Sequence, residues 1–245
     1  MRKEEILKLS SMSASGPSYP AGPYRFIHRE FMVITYETDP EIIRWLPEPL
    51  EPADTPLVHY EWIKMPDSSG FGDYTESRMV LPCRFRGEEA NFVVQTYLDD
   101  DPPISAGREI WGFPIKYAHP KLKIVKDTLT GTLEYAGQLA ALGTMATSTG
   151  RWPAMRTTAI LSKTQIDLKI IPGVDGHPEI CQLVGYNITD IVVKGSWLGP
   201  RRLHLVPHVN APVADFPVCK IIGAHHFVAD LTLPYGHLLY DYNKE

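Results

Sequence analysis

Seven stretches of this chain alternate apolar and polar residues: 33–38 (VITYET), 57–65 (LVHYEWIKM), 90–98 (ANFVVQTYL), 131–137 (GTLEYAG), 165–172 (QIDLKIIP), 188–197 (ITDIVVKGSW) and 226–233 (HFVADLTL). They are rich in Val, Ile, Thr and Tyr, and a two-residue period is that of a strand, whose successive side chains point to opposite faces. Turn chemistry separates them at Asp67-Ser68-Ser69-Gly70, Asp175-Gly176 and Leu198-Gly199-Pro200. Strand follows strand with little room for crossover helices, which predicts an α+β fold dominated by antiparallel sheet. Helices are expected only at residues 3–9, at 39–46, where Asp39 precedes Pro40, and at 152–162. No repeat, low-complexity tract or linker interrupts the pattern, so residues 1–245 read as a single domain.

Charge and cysteine usage narrow the function classes. Lys and Arg number 24 against 29 Asp and Glu, a formal net charge of −5, whereas nucleic-acid binders carry a basic excess. No apolar run approaches the roughly 20 residues of a membrane span. The first residues, MRKEEILKLSSM, lack the apolar core of a secretory signal, so a soluble cytoplasmic protein is expected. Cys83, Cys181 and Cys219 are too scattered for a disulfide framework or a zinc pair, and no metal site is predicted. His225 and His226 are adjacent, and in a strand they point to opposite faces. Asp99-Asp100-Asp101 before Pro102-Pro103 reads as a solvated turn.

Walker, GxGxxG, HExxH and GxSxG signatures are all missing. The chemistry-bearing residues left are ionisable groups in aromatic or strand-like surroundings: Arg29 in PYRFIHRE, Glu61 in VHYEWI and Glu76 in FGDYTES. Spacing alone does not bring them together.

Ordered segments along nearly the whole chain do group them. YPAGPYRF (19–26), Arg29-Glu30, PEPLE (47–51), PLVHYE (56–61), SGFGDYTES (69–77), GREIWGFP (107–114), HPKL (119–122), DTLTGTLEY (127–135), LKIIPGVDGHPEIC (168–181), GPRRLHL (199–205) and ADLTLP (229–234) together resemble the acetoacetate decarboxylase family. The resemblance implies a cone-like barrel around a small cavity, with a few peripheral helices, assembled as a homo-oligomer. It implies a lyase acting on a small oxo acid with no metal or organic cofactor. It places Arg29 on the substrate carboxylate or against Glu76, with Glu61 and Glu76 as proton carriers. Tyr19, Phe26, Phe113 and Ile115 would line the substrate, and Lys116 is the candidate amine.

The family's decarboxylases carry Pro-Lys-Lys after a glycine-aromatic pair, the first lysine forming an imine with the ketone. Here the same place reads Pro114-Ile115-Lys116, and the flanking motifs align without a gap. If Pro114 keeps the segment extended, Phe113, Ile115 and Tyr117 share one face and Lys116 points to the other. A bulge there would turn Lys116 inward. A second departure runs from Thr144 through Thr147, Ser148 and Thr149 to Gly150, with small hydroxyl residues where family members carry large and basic ones. Three readings stay open: an oxo-acid decarboxylase or related lyase; an imine-independent acid–base enzyme (hydratase, tautomerase, lactone hydrolase or cyclase) on the same scaffold; and an inactive carboxylate binder.

Overall fold

A computed structural model describes residues 1–147 and 149–244. Its strands of three or more residues are, in chain order, β1 (Tyr24–Glu37), β2 (Leu57–Met65), β3 (Tyr74–Phe85), β4 (Glu88–Leu98), β5 (Ile115–Tyr117), β6 (His119–Val125), β7 (Thr128–Tyr135), β8 (Gln138–Ala146), β9 (Thr164–Pro172), β10 (Pro178–Tyr186), β11 (Thr189–Leu198), β12 (Arg201–Leu205), β13 (Lys220–Leu233) and β14 (His237–Asp241). The helices are α1 (Lys3–Ile6), α2 (Asp101–Ala106) and α3 (Ala154–Leu161), with a 3-10 turn at Pro40–Trp45. Ser148, in the second departure, lies outside the described residues.

The large sheet runs β11-β13-β1-β2-β3-β4-β9-β10-β14, with the two-residue strand Gly150–Arg151 beyond β11. Pairing is antiparallel except at the outer edge of β4, which takes two parallel partners: β9 along Ala90–Phe92 and β5 along Thr96–Leu98. A second sheet has the order β12-β8-β7-β6. The expected cone-like barrel is corrected by this topology. Closure requires the two outermost strands to pair, and here the strand path ends at Gly150–Arg151 on one side and β14 on the other, unpaired with each other.

The alternation along β1 and β2 divides the large sheet into two working faces. Met32, Ile34, Tyr60 and Trp62 point to one side and pack with Leu129, Leu133, Ala141 and Met145 of the small sheet. Gly131 and Gly143 are cross-strand partners directly beneath Trp62, where a Cβ on either would come within 2.4 Å of the indole. Only glycine lets the sheets approach this closely. Phe31, Val33, Thr35, His59 and Glu61 point to the other side, where they line a cavity.

The acidic run Asp99–Asp101, expected as a turn, instead opens α2, with prolines in its first turn. Pro is suited there because its missing N–H would be unsatisfied in any case. The helix continues into a wider turn, Gly107–Trp111, that ends at Gly112 in the left-handed region, φ 84°. A Cβ at Gly112 would come within 2.4 Å of the Lys169 backbone, so the bend that launches β5 depends on that glycine.

Candidate active site

A bulge in β1 puts the first functional group in place. Between Phe26↔Leu231 and Arg29↔Ala229 the register gains one residue, absorbed where His28 adopts φ 54°. Phe26 and Arg29 therefore share a face despite their odd spacing. The guanidinium carbon lies 4.9 Å from the Phe26 ring centroid and 5.0 Å from that of Phe31. Arg29 is 7% exposed, its Nε is buried without a partner, and it makes no hydrogen bond among the described residues. Burial lowers its pKa, and Glu76 opposes that shift.

Glu76 and Arg78 are two apart on β3 and face the same cavity as Arg29. Arg78 Nε donates to Glu61 Oε2 at 2.6 Å and lies 3.7 Å from Glu76 Oε1. Burial opposes the Arg78 charge, but Glu61, Tyr186 and Glu76 outweigh it and its pKa rises. Arg78 is thus committed within the protein, and Arg29 is left for a ligand. Tyr74 and Tyr186 also line the cavity, and burial first and nearby carboxylates second push both phenols up, so they remain proton donors at neutral pH. Asp167 is fully buried, neither oxygen has a hydrogen-bond partner among the described residues, and desolvation raises its pKa well above the ordinary carboxyl range. Burial without partners disfavours the charged form of a carboxyl so placed.

The register also settles which way residues 115 and 116 point. Val33 pairs with Glu61, Glu61 with Arg78, Arg78 with Thr96, and Thr96 with Ile115. Directly paired residues share a face, so Ile115 ends a row that carries Glu61 and Arg78. It is 3% exposed, and its Cδ1 fills the space a Cβ on Gly107 would need. Lys116 belongs to the row of Tyr97, Ser77, Trp62 and Met32, on the opposite face. Its Nζ donates to the Asn210 carbonyl at 3.0 Å in an exposed position. Lys116, the candidate amine, lies outside the cavity lining, as does the buried Tyr19, whose hydroxyl donates to Glu109 at 2.6 Å. Arg29, Glu61, Glu76, Phe26 and Phe113 are brought together in the lining; Ile115 stands behind it. Among the described residues Lys163 is the lysine that reaches the lining, and its Nζ is 2.6 Å from Glu89 at the exposed rim.

His225 faces the cavity and His226 the other side, where its Nε2 lies 2.9 Å from Glu30 Oε1. Among the described residues no group of three or more His, Cys, Asp or Glu is placed to hold a metal ion, and no helix is long and apolar enough to cross a membrane. The sequence reading missed Arg78, Tyr74, Asp167 and Tyr186, and took His225 only as one of an adjacent pair on opposite faces. The signal for the first two was parity: Tyr74, Glu76 and Arg78 alternate along one strand.

Residues 11–243 match the family profile described as acetoacetate decarboxylase (ADC). The acetoacetate decarboxylase of Bordetella avium is 52% identical over 233 residues, covering 95% of this chain and 94% of that protein. A solved acetoacetate decarboxylase superposes with a TM-score of 0.97 at 41% identity, covering 100% of both chains. The acetoacetate decarboxylase structure from Legionella pneumophila gives 0.92 at 47% identity, covering 97% of this chain and 96% of that one. With family profile, sequence and fold in agreement across almost its whole length, the chain belongs to the acetoacetate decarboxylase family and is a decarboxylase-like carbon–carbon lyase of small oxo acids.

Proposed function

We propose that this chain decarboxylates a 3-oxo acid of the acetoacetate type without forming a lysine imine. One observation carries the reading: the cavity row ends in Ile115, and the neighbouring Lys116 amine is bound on the opposite face of the sheet. Arg29 is then the binding group. Its fork can hold one carboxylate oxygen and the ketone oxygen of a 3-oxo acid together. As the C–C bond breaks and carbon dioxide leaves, the electron pair moves onto the ketone oxygen and forms an enolate. That oxygen stays in the fork while its charge grows, so the interaction strengthens toward the transition state. The Tyr74 and Tyr186 hydroxyls, which keep their protons, supply further donors. Glu76 relays a solvent proton to the α-carbon and completes the ketone, and Glu61 holds Arg78 in place.

An imine obligatorily exchanges the ketone oxygen with water, and an enolate route does not. Turnover of carbonyl-labelled acetoacetate, scored by mass spectrometry at times short against spontaneous exchange, should give acetone that keeps the label. Borohydride quenching should leave no adduct on any lysine. An adduct, or complete loss of label, sinks the reading. The same reading takes the chain as one domain and as a homo-oligomer. Its support for the latter is the free edge of the small sheet, β6, with Ile124 and Val125 exposed.

A further inference from the structure

The cavity is far larger than its polar end requires. Its volume is about 490 Å³. Acetoacetate has seven heavy atoms; even at about 30 Å³ each, the share of a water molecule in the liquid, it fills about 210 Å³. The length is equally excessive. Arg78, Glu61, Val33 and His225 are successive partners on β3, β2, β1 and β13, and all four line the cavity. Strands lie about 4.8 Å apart, so this row spans about 14 Å. A four-carbon acid, with bonds of about 1.5 Å, spans about 5 Å.

The two ends differ in chemistry. Arg29, Glu61, Glu76 and Arg78 cluster at one end, and Lys163 is paired with Glu89 at the rim. Beyond Val33 the lining is apolar or neutral: Trp152, Ile160, Leu161, Leu198, Ile222 and Ala224. His225 closes this side. Its Nε2 lies 2.7 Å from Ser196 Oγ, which is 2.8 Å from Thr157 Oγ1, and its ring meets Trp152 at 5.8 Å. Burial first, and His226 second, lower the His225 pKa to about 4, so this end carries no charge at neutral pH. Trp152 and α3 follow directly on the stretch 144–150 in which the sequence departs from the family pattern.

We infer that the substrate is a medium-chain 3-oxo acid, its head at Arg29 and its unbranched apolar tail laid across β2, β1 and β13 toward Trp152 and α3. The volume left beyond the head admits up to about nine further heavy atoms. The inference rests on the proposed imine-free reaction only for turnover; the tail site stands or falls on binding alone.

Two series test it separately. In the first, kcat/KM is measured for acetoacetate and for 3-oxohexanoate, 3-oxooctanoate and 3-oxodecanoate. Each buried methylene should raise it about three- to fourfold until the cavity is full. In the second, unreactive saturated carboxylates from butyrate to decanoate are titrated, and affinity should rise by a similar factor per carbon. If affinity climbs while no 3-oxo acid is turned over, the tail site is supported and the proposed reaction fails. If neither quantity rises beyond four carbons, the inference is overturned, whatever the rate on acetoacetate. Val33→Trp, in the middle of the row, should flatten the binding gradient; an unchanged gradient in a folded variant would also overturn it.

Discussion

Replacing Ile115 by lysine should convert the cavity to imine chemistry, and the structure sets the size of the effect. The side chain at 115 is 3% exposed and ends a row whose other members include Arg78. An ordinary lysine, with a pKa of about 10.4, is only about 0.04% free amine at pH 7. Full burial lowers a lysine pKa by about 3–5 units, and a nearby cation acts in the same direction. Activation of a buried lysine in this way is the known behaviour of the family's namesake, so the direction is inherited rather than new. A fall of about 3–4 units makes a quarter or more of the amine free at pH 7, roughly a thousandfold gain. Folding pays for that gain. The unfolded chain holds a proton that the folded one does not, so Ile115→Lys should lose on the order of 4 kcal/mol at pH 7. The sign follows: the deficit shrinks by about 1.4 kcal/mol per pH unit as pH rises from the lowered pKa toward about 10, and grows no further below the lowered pKa. Denaturant unfolding across pH 7–10 reads the slope. Borohydride quenching with acetoacetate, followed by peptide mapping, reads the imine as an isopropyl group on residue 115. A folded variant with the expected slope but no adduct and no oxygen exchange would refute the assignment of Ile115 to the substrate-facing row.

Arg29→Lys should weaken unreactive carboxylates and lower kcat/KM by about 10²–10³, because a point charge replaces a fork; calorimetric titration and turnover check this. Glu61→Ala leaves Arg78 buried without its closest partner and should cost about 3–5 kcal/mol in denaturant unfolding. Gly143→Ala drives a methyl into the Trp62 indole and should cost about 1–3 kcal/mol, read as a lower Tm with the cavity unchanged. Asp167 has a raised folded pKa, so its contribution is fully present below about pH 3.9 and is lost as pH rises toward the folded value. Asp167→Asn should therefore be more stable than the parent at pH 7–8, with the gap closing toward pH 4 in unfolding titrations.

The strands were legible because their alternation is a local property. Leu57–Met65 was read to the residue, and the short helix after Asp39 is capped by that side chain, which accepts from the Glu41 amide at 2.9 Å. Sheet closure was not legible, because it depends on whether two strands distant in sequence, Gly150–Arg151 and β14 (His237–Asp241), pair with each other, and no local pattern encodes that. The helix α2 was hidden by its own prolines, which look like a turn unless their place in a first helical turn is recognised. Within the site, Arg29, Glu61 and Glu76 stood out by their aromatic and strand-like surroundings and were grouped only by the family resemblance, and Arg78 was overlooked, although it shares the parity of Glu76. Asp167 had no signal at all: a single acid in the strand pattern QIDLKIIP reads as a solvent-facing residue, and only packing reveals that it is enclosed.

The extra residue at His28 has a consequence for which changes this protein can survive. Removing His28 would restore even pairing with β13 and leave the arginine opposite Ala229, its guanidinium still on the Phe26 face, because residues two apart in a regular strand point the same way. What such a deletion takes away is the left-handed residue and the local bend, while the cavity keeps its cation. The bulge therefore carries an odd number of residues without exchanging the faces: a β-branched residue at position 28 would meet a left-handed backbone, φ 54°, whereas loss of that one residue would preserve which side chains look into the cavity.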